Sequence, residues 1–345
     1  MVASVRDTPT VAVVLAGGTG TRLYPASRPT RPKQVLPLAG SEPLLSQTLS
    51  RAQAVADEVV VLTQPALVEV IAPLTDNARI LTEPAARDTG PAIVYAAGDI
   101  NNRYEEAIML VLPSDHVVGE GFTTACKEAH RVAASTNRLV TFGIEPTRPE
   151  TGYGYIAPDT QNARRDPMWH PIETFHEKPD AETAQSYVDA GYLWNAGMFA
   201  FRPTSLLSAA EDSSLHSLAN AVLADDVDTI ERAYTATDAV SVDYALFESA
   251  SDTAVLPVSF DWDDIGAWDA FDRLDDADDE GTTTVGQASI ETIDADKNII
   301  ASDGAHVSLI GVSDLVVVSW DNRVLVVSKD RAQDVKQLVK QLDFE

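Results

Sequence analysis

Three features of the chain predict an α/β fold with a doubly wound sheet. Short, wholly apolar runs alternate with helical patterns through the first half. The first of those runs ends in a glycine-rich turn. After about residue 284 the pattern changes to closely spaced strand-like runs, which suit a separate small domain.

The elements follow in order. Strands are expected at 11–15, 58–62, 79–81, 108–112 and 139–142, with helices at 44–54, 91–103 and 123–134 between them. Strands separated by helices pair in parallel, and strands buried on both faces are apolar throughout, as these are. The middle adds strands at 153–157, 171–175, 198–201 and 254–258, and helices at 203–210, 215–224 and 242–249. This stretch completes the sheet and covers its ligand side. Residues 272–284, rich in Asp, Gly and Thr, suit a linker. Domains are therefore expected at 1–275 and 285–345. The second holds strands at 288–293, 298–301, 306–310, 315–320 and 323–328. It closes with a helix at 331–342, apolar at Val335, Leu338, Val339 and Leu342.

Composition narrows the function classes. The chain has 345 residues, 45% hydrophobic and 23% charged, which excludes disorder and collagen-like structure. No apolar run is long enough to span a bilayer, and residues 1–7 hold no apolar signal core, so a cytoplasmic protein is expected. A lone cysteine, Cys126, permits neither an intramolecular disulfide nor a thiolate cluster, and is expected in the core. The net charge is −28, with seven lysines against 34 aspartates. That balance excludes a nucleic-acid binder, which needs a basic footprint. Acidity spread along the whole chain resembles halophilic proteins of high-salt cytoplasms; an ordinary acidic protein is the alternative.

The turn after the first strand reads Leu15-Ala16-Gly17-Gly18-Thr19-Gly20-Thr21-Arg22-Leu23, and Pro32-Lys33-Gln34 follows. A glycine turn at the carboxyl end of a first strand is where open α/β sheets bind ligands. A P-loop would need Gly-Lys-Ser/Thr after four intervening residues, and none is present. A dinucleotide fingerprint would need a third glycine where Leu23 stands. What remains is a glycine loop whose amides cradle a nucleoside triphosphate, with Arg22 and Lys33 neutralising it. Asp115 follows the strand at 108–112, and Asp264 follows the strand at 254–258. Carboxylates converging there on a triphosphate would hold Mg²⁺.

The loop through Lys33-Gln34 resembles the signature of the sugar-phosphate nucleotidylyltransferases, and within them the mannose-1-phosphate guanylyltransferases, or GDP-mannose pyrophosphorylases. The resemblance continues in order. It covers Glu83-Pro84-Ala85-Ala86-Arg87-Asp88-Thr89-Gly90-Pro91, Leu112-Pro113-Ser114-Asp115-His116 and Thr151-Gly152-Tyr153-Gly154-Tyr155-Ile156. It then takes in Glu177-Lys178-Pro179, Tyr192-Leu193-Trp194-Asn195-Ala196-Gly197-Met198-Phe199 and Asp264-Ile265-Gly266-Ala267-Trp268.

The resemblance implies a Rossmann-like, doubly wound mixed sheet of the nucleotide-diphospho-sugar transferase type. The small C-terminal β-helix-like domain would be structural and would assist a homodimer. It implies that GTP and mannose 1-phosphate become GDP-mannose and pyrophosphate. Arg22, Lys33, Asp115 and Lys178 would be catalytic, and Asp115 and Asp264 would hold Mg²⁺. Leu15, Gly17, Gly18, Thr19, Gly20, Thr21, Glu83, Arg87, Asp88, Pro113 and Ser114 would bind the nucleotide. Gly152, Tyr153, Glu177, Lys178 and Asn195 would bind the sugar phosphate. Asp88 replaces the family's usual asparagine and Gly90 its usual alanine, so Asp88 is expected either to read guanine or to cap the helix after it. A thymidylyl- or uridylyltransferase acting on glucose 1-phosphate, and an inactive regulatory homologue, remain as alternatives.

Overall fold

The computed structural model describes residues 8–166, 168–248, 252–274 and 277–342. Residue 249 of the expected 242–249 helix, and part of the expected linker, lie outside them. The strands are β1 (Thr10–Leu15), β2 (Glu58–Thr63), β3 (Arg79–Thr82), β4 (Ile108–Pro113), β5 (Val117–Val118), β6 (Leu139–Ile144), β7 (Gly154–Pro158), β8 (Arg164–Arg165), β9 (Met168–Glu177), β10 (Leu193–Phe201), β11 (Thr253–Val258) and β12 (Trp262–Asp263). The helices are α1 (Leu44–Gln53), α2 (Val68–Ile71), α3 (Thr89–Arg103), α4 (Phe122–Thr136), α5 (Ala181–Asp189), α6 (Pro203–Glu211), α7 (His216–Ala224), α8 (Val227–Ala236) and α9 (Phe271–Leu274).

The large sheet runs β3-β2-β1-β4-β10-β6-β11-β9-β7. Strands β3, β2, β1 and β4 are parallel, β10 is antiparallel to β4 and β6, and β6 pairs in parallel with β11. The mixed sheet expected from the resemblance is thus present. Strand β1 shows why its run had to be apolar throughout. Ala12 and Val14 pack toward α1 and α4, while Val11 and Val13 pack toward α3, α6 and α7. Chain order reverses between β1 and β4, so their carboxyl ends open a crevice there. Strand β10 reaches past the end of β4, because Phe199 pairs with Val111 and the preceding residues extend beyond it. A bulge lies between Asn195 and Phe199, with Gly197 at φ 65°.

Several elements depart from the sequence expectations. Strands expected at 171–175 and 198–201 run longer, as β9 and β10. Helices α5 and α8 were not anticipated; each starts at an aspartate cap, Asp180 on the Thr183 amide and Asp226 on the Thr229 amide. Each buries one residue fully, Ala184 in α5 and Tyr234 in α8, while Tyr187, Val188, Ile230 and Ala233 pack partly buried against the core. In place of a helix over 242–249 there is a π-helical turn at Asp243–Phe247.

Strands β13 (Thr283–Gly286), β15 (Ile299–Ser302) and β17 (Leu315–Trp320) stack in parallel, and β18 (Arg323–Ser328) closes the sheet antiparallel. Strands β14 (Ser289–Ile293) and β16 (His306–Ile310) form a second parallel wall. The terminal helix is shorter than expected: a 3₁₀ stretch, Lys329–Asp334, precedes α10 (Val335–Val339). These coils share a core with the segment after the glycine loop. Leu23, Ala26, Leu36 and Trp268 pack with Ile299, Val316, Trp320 and Val339. No described helix is long and apolar enough to cross a membrane.

Candidate active site

The glycine loop leaves β1 with its carbonyls tied from behind. Ala16 O accepts from Gln34 Nε2 at 3.1 Å and from Thr63 Oγ1 at 2.9 Å, and Gln64 Nε2 donates to Gly17 O. Gly20 has φ 66°, and a Cβ there would lie 2.7 Å from Lys33 Cβ. Only glycine allows both that backbone and the close passage of the lysine stem.

Leu15, Gly17, Gly18, Glu83, Arg87, Asp88, Pro113 and Asp115 line one cavity of about 410 Å³. Thr19, Gly20 and Thr21 continue the loop outside that lining, and Ser114 is buried, its N–H donating to Leu15 O at 3.1 Å. Glu83 is buried and accepts from Tyr234 OH. Burial pushes its carboxyl up; the tyrosine opposes the shift and Asp88 adds to it. The Arg87 guanidinium is tied to the neighbouring helix end, with Nη2 donating to Thr235 O at 2.5 Å. Asp88 sits at φ 68° and caps α3, its Oδ1 accepting from Thr89 N at 2.7 Å. The capping role expected for it is therefore present, on an exposed side chain that also faces the cavity.

Lys33 is the hub of the charged centre. Its Nζ lies 2.9 Å from Asp115 Oδ2 and donates to Asp264 O at 2.9 Å and Ile265 O at 3.3 Å. Asp264 Oδ1 accepts from Tyr153 OH at 2.9 Å and Gly266 N at 3.1 Å. Between them Ile265 holds φ 42°, a costly conformation for a β-branched residue and one that clusters at functional sites. Arg22 Nη1 reaches Gly266 O at 3.4 Å. The adjacent Asp263 faces the other way. It is buried against Arg273, whose Nε and Nη2 both lie 2.8 Å from Oδ2, and its Oδ1 accepts from Ile265 N. His116 accepts at Nδ1 from Trp262 Nε1 (3.1 Å), and burial lowers its pKa, which favours a neutral ring.

The donor chemistry fits magnesium. Asp115 and Asp264 offer hard oxygen ligands on either side of one lysine, and Mg²⁺ takes one or two carboxylates plus waters and substrate phosphate. Among the described residues no group of three His, Cys, Asp or Glu is gathered to enclose a metal. An open site that leaves room for phosphate oxygens agrees with that.

On the far side, Lys178 has φ 49° and its ammonium pairs with Glu177. Burial lowers the lysine pKa, but the Glu177 pair outweighs it and the net shift is upward. The Lys178 amide donates to Tyr153 O at 3.1 Å, tying this pair to the Tyr153–Asp264 contact. Tyr153 and Trp194 are buried edge to face at 5.2 Å, with Arg148 over both rings. Exposed Gly152 donates its N–H to Glu150 at 3.1 Å. Asn195 is buried in the wall. Its Nδ2 donates to Asp243 Oδ1 at 2.8 Å, and its Oδ1 accepts from Thr141 Oγ1 at 2.7 Å.

Sequence reasoning passed over four groups that shape the site: Tyr234, Arg273, Thr141 and Asp243. Burial, with Glu177 adding, pushes the Asp243 carboxyl up to about 7 against Asn195 and Lys178. Its one sequence signal was an irregular Asp-Tyr-Ala-Leu-Phe-Glu stretch at 243–248.

Comparison with known proteins shows the family of the chain. Residues 11–280 match the nucleotidyl transferase family, and residues 290–342 match a MannoseP isomerase/GMP-like beta-helix domain. A mannose-1-phosphate guanylyltransferase of Salmonella montevideo is 35% identical, over 96% of this chain and 74% of that protein. The xanthan biosynthesis protein XanB of Xanthomonas campestris is 36% identical, over 96% and 72%. A solved structure from Thermus thermophilus, described as a mannose-1-phosphate geranyltransferase, superposes with a TM-score of 0.88 at 35% identity, over 97% and 99% of the two chains. The chain belongs to the nucleotidyl transferase family, among the mannose-1-phosphate guanylyltransferases.

Proposed function

We propose that this enzyme joins GTP and mannose 1-phosphate to give GDP-mannose and pyrophosphate. The observation that carries the reading is Lys33, held between the Asp115 carboxylate and the Asp264 carbonyl at the mouth of the cavity. Asp115 lines the proposed nucleotide cavity, and Tyr153 links Asp264 to the Glu177–Lys178 pair.

The sugar phosphate, with a second pKa near ~6, is largely ionised at neutral pH and needs no general base. One of its oxygens bonds to the α-phosphorus while the bond from that phosphorus to the bridging oxygen of pyrophosphate breaks. The chain's task is to align two anions and neutralise charge. Loop amides from Gly17 to Thr21 cradle the triphosphate, and Arg22 makes fork-like phosphate contacts. Lys33 places a point charge at the α-phosphate and the leaving group. Lys178 brings in the sugar's phosphate, and Glu177 accepts from sugar hydroxyls. Asp115 and Asp264 would hold magnesium, which would supply positive charge against the phosphate oxygens. Glu83 and Asp88 accept the N1–H and N2–H donors of guanine. The −28 charge supports a salt-adapted setting.

The test is pyrophosphate release in molar KCl with Mg²⁺, crossing GTP, UTP, dTTP and ATP with mannose 1-phosphate and glucose 1-phosphate. Release with GTP and mannose 1-phosphate alone is expected. Faster release with another pair reassigns the substrates, and silence from folded protein sinks the activity.

A further inference from the structure

Asp243 is a cavity-lining carboxyl for which neither the charged centre nor the base pocket has a use. It begins a π-helical turn, an irregularity found at functional sites more often than elsewhere. Phe247, at the other end of that turn, packs on Phe199 at 4.8 Å and on Phe175 at 6.4 Å, which anchors the turn to β10 and β9. The carboxyl also ends a polar row. Thr141 on β6 donates to Asn195 Oδ1, and so does the Gly197 amide at 3.3 Å. Two donors on the amide oxygen fix the flip of the side chain, so Nδ2 must face Asp243. Asn195 thereby orients Asp243, which lines the cavity.

We propose that Asp243 determines sugar selectivity: its carboxylate accepts a hydroxyl of the incoming hexose phosphate, at a position set by Thr141 and Asn195. The proposal rests on the function given above and deepens it. The π turn packs through Phe247 on Phe175 of β9, the strand that ends at Glu177, so Asp243 lies toward the Glu177–Lys178 pair, whose charges act on it. Burial disfavours the charged form of Asp243, and the nearby Glu177 carboxylate adds to that. Hydroxyl donors relieve such a pair. Hexose phosphates that differ at one carbon's configuration present or withhold that donor, and a site built to hydrogen-bond a hydroxyl rejects substrates lacking it.

The experiment is steady-state kinetics of wild type, Asp243→Asn and Asp243→Ala, each checked for folding by circular dichroism. Asp243→Ala should raise KM for mannose 1-phosphate by roughly 10- to 100-fold and leave KM for GTP within about twofold. Its preference for mannose over glucose 1-phosphate should shrink by roughly tenfold. The near-isosteric Asp243→Asn, which keeps one acceptor, should fall between. An unchanged KM for the sugar phosphate in folded Asp243→Asn overturns the inference alone, and so does an equal rise in KM for GTP. A wild type silent with every substrate pair overturns the proposed function, and the inference with it.

Discussion

Lys33, Asp115 and Asp264 come from three distant stretches of chain, yet two contacts of 2.9 Å join them. The lysine is largely withdrawn from solvent, with a side-chain exposure of 12%. Replacing Asp115 by Asn keeps the shape but removes one unit of negative charge from the centre. The expected outcome is a loss of turnover of roughly 10³-fold or more, because charge placement rather than packing is lost. Melting temperature should change little. Near-normal kcat in folded Asp115→Asn would sink the metal and charge assignment. The neighbouring pair shows how sharply adjacent residues can differ. Asp263 is fastened to Arg273 in the core, whereas Asp264 faces Tyr153 and the lysine.

Between residues and the whole lies the junction of α3 with the segment before the π turn. Gly90 N donates to Val240 O at 2.9 Å, Val240 N donates to Arg87 O at 3.3 Å, and Thr89 Oγ1 accepts from Val242 N at 3.0 Å. This lacing sets the wall that carries Asp88 and Asp243 together. A Cβ on Gly90 would lie 2.7 Å from Val240 O and 3.4 Å from Leu215 Cδ1. The glycine at this position is therefore matched to a close backbone approach. Gly90→Ala should destabilise the protein by about 1–3 kcal/mol, since a backbone carbonyl cannot step aside as a side chain can. Urea unfolding measures this, and a variant as stable as wild type would show that the segment relaxes freely.

At the scale of the molecule, the C-terminal coils brace the loop that carries the cations. Arg28 and Arg31, between Arg22 and Lys33, both pair with Asp321, and Trp268 Nε1 donates to Tyr24 O at 3.0 Å. Arg31 also lies over the Trp320 ring at 6.0 Å. The net charge of −28 acts over the same body. Self-repulsion opposes compaction and is screened by salt, with a Debye length falling to roughly 3 Å at 1 M. Melting temperature should rise by on the order of 5 °C or more between 0.1 M and 2 M KCl, because exposed ion pairs lose little in exchange. A melting temperature that is flat or falling over that range would remove the case for salt adaptation.

The sequence by itself determined the sheet's first half, the loop and the family. These follow from local signals: apolar runs buried on both faces, glycines at a strand end, and short motifs in a set order. It also named Arg22, Lys33, Asp115, Lys178 and Asp264 as the charged set. Tertiary structure alone decided which partner each group meets. Asp263 and Asp264 are chemically identical neighbours; the family resemblance singled out Asp264, and only packing gives each its partner, Arg273 for Asp263 and Tyr153 for Asp264. The partners of Asn195, Thr141 and Asp243, lie 54 residues before it and 48 after. No periodicity encodes such pairings, because they arise where separate strands and a π turn converge. Helices α5 and α8, by contrast, carried local signals, an aspartate cap and apolar residues at helical spacing, that the sequence reading passed over.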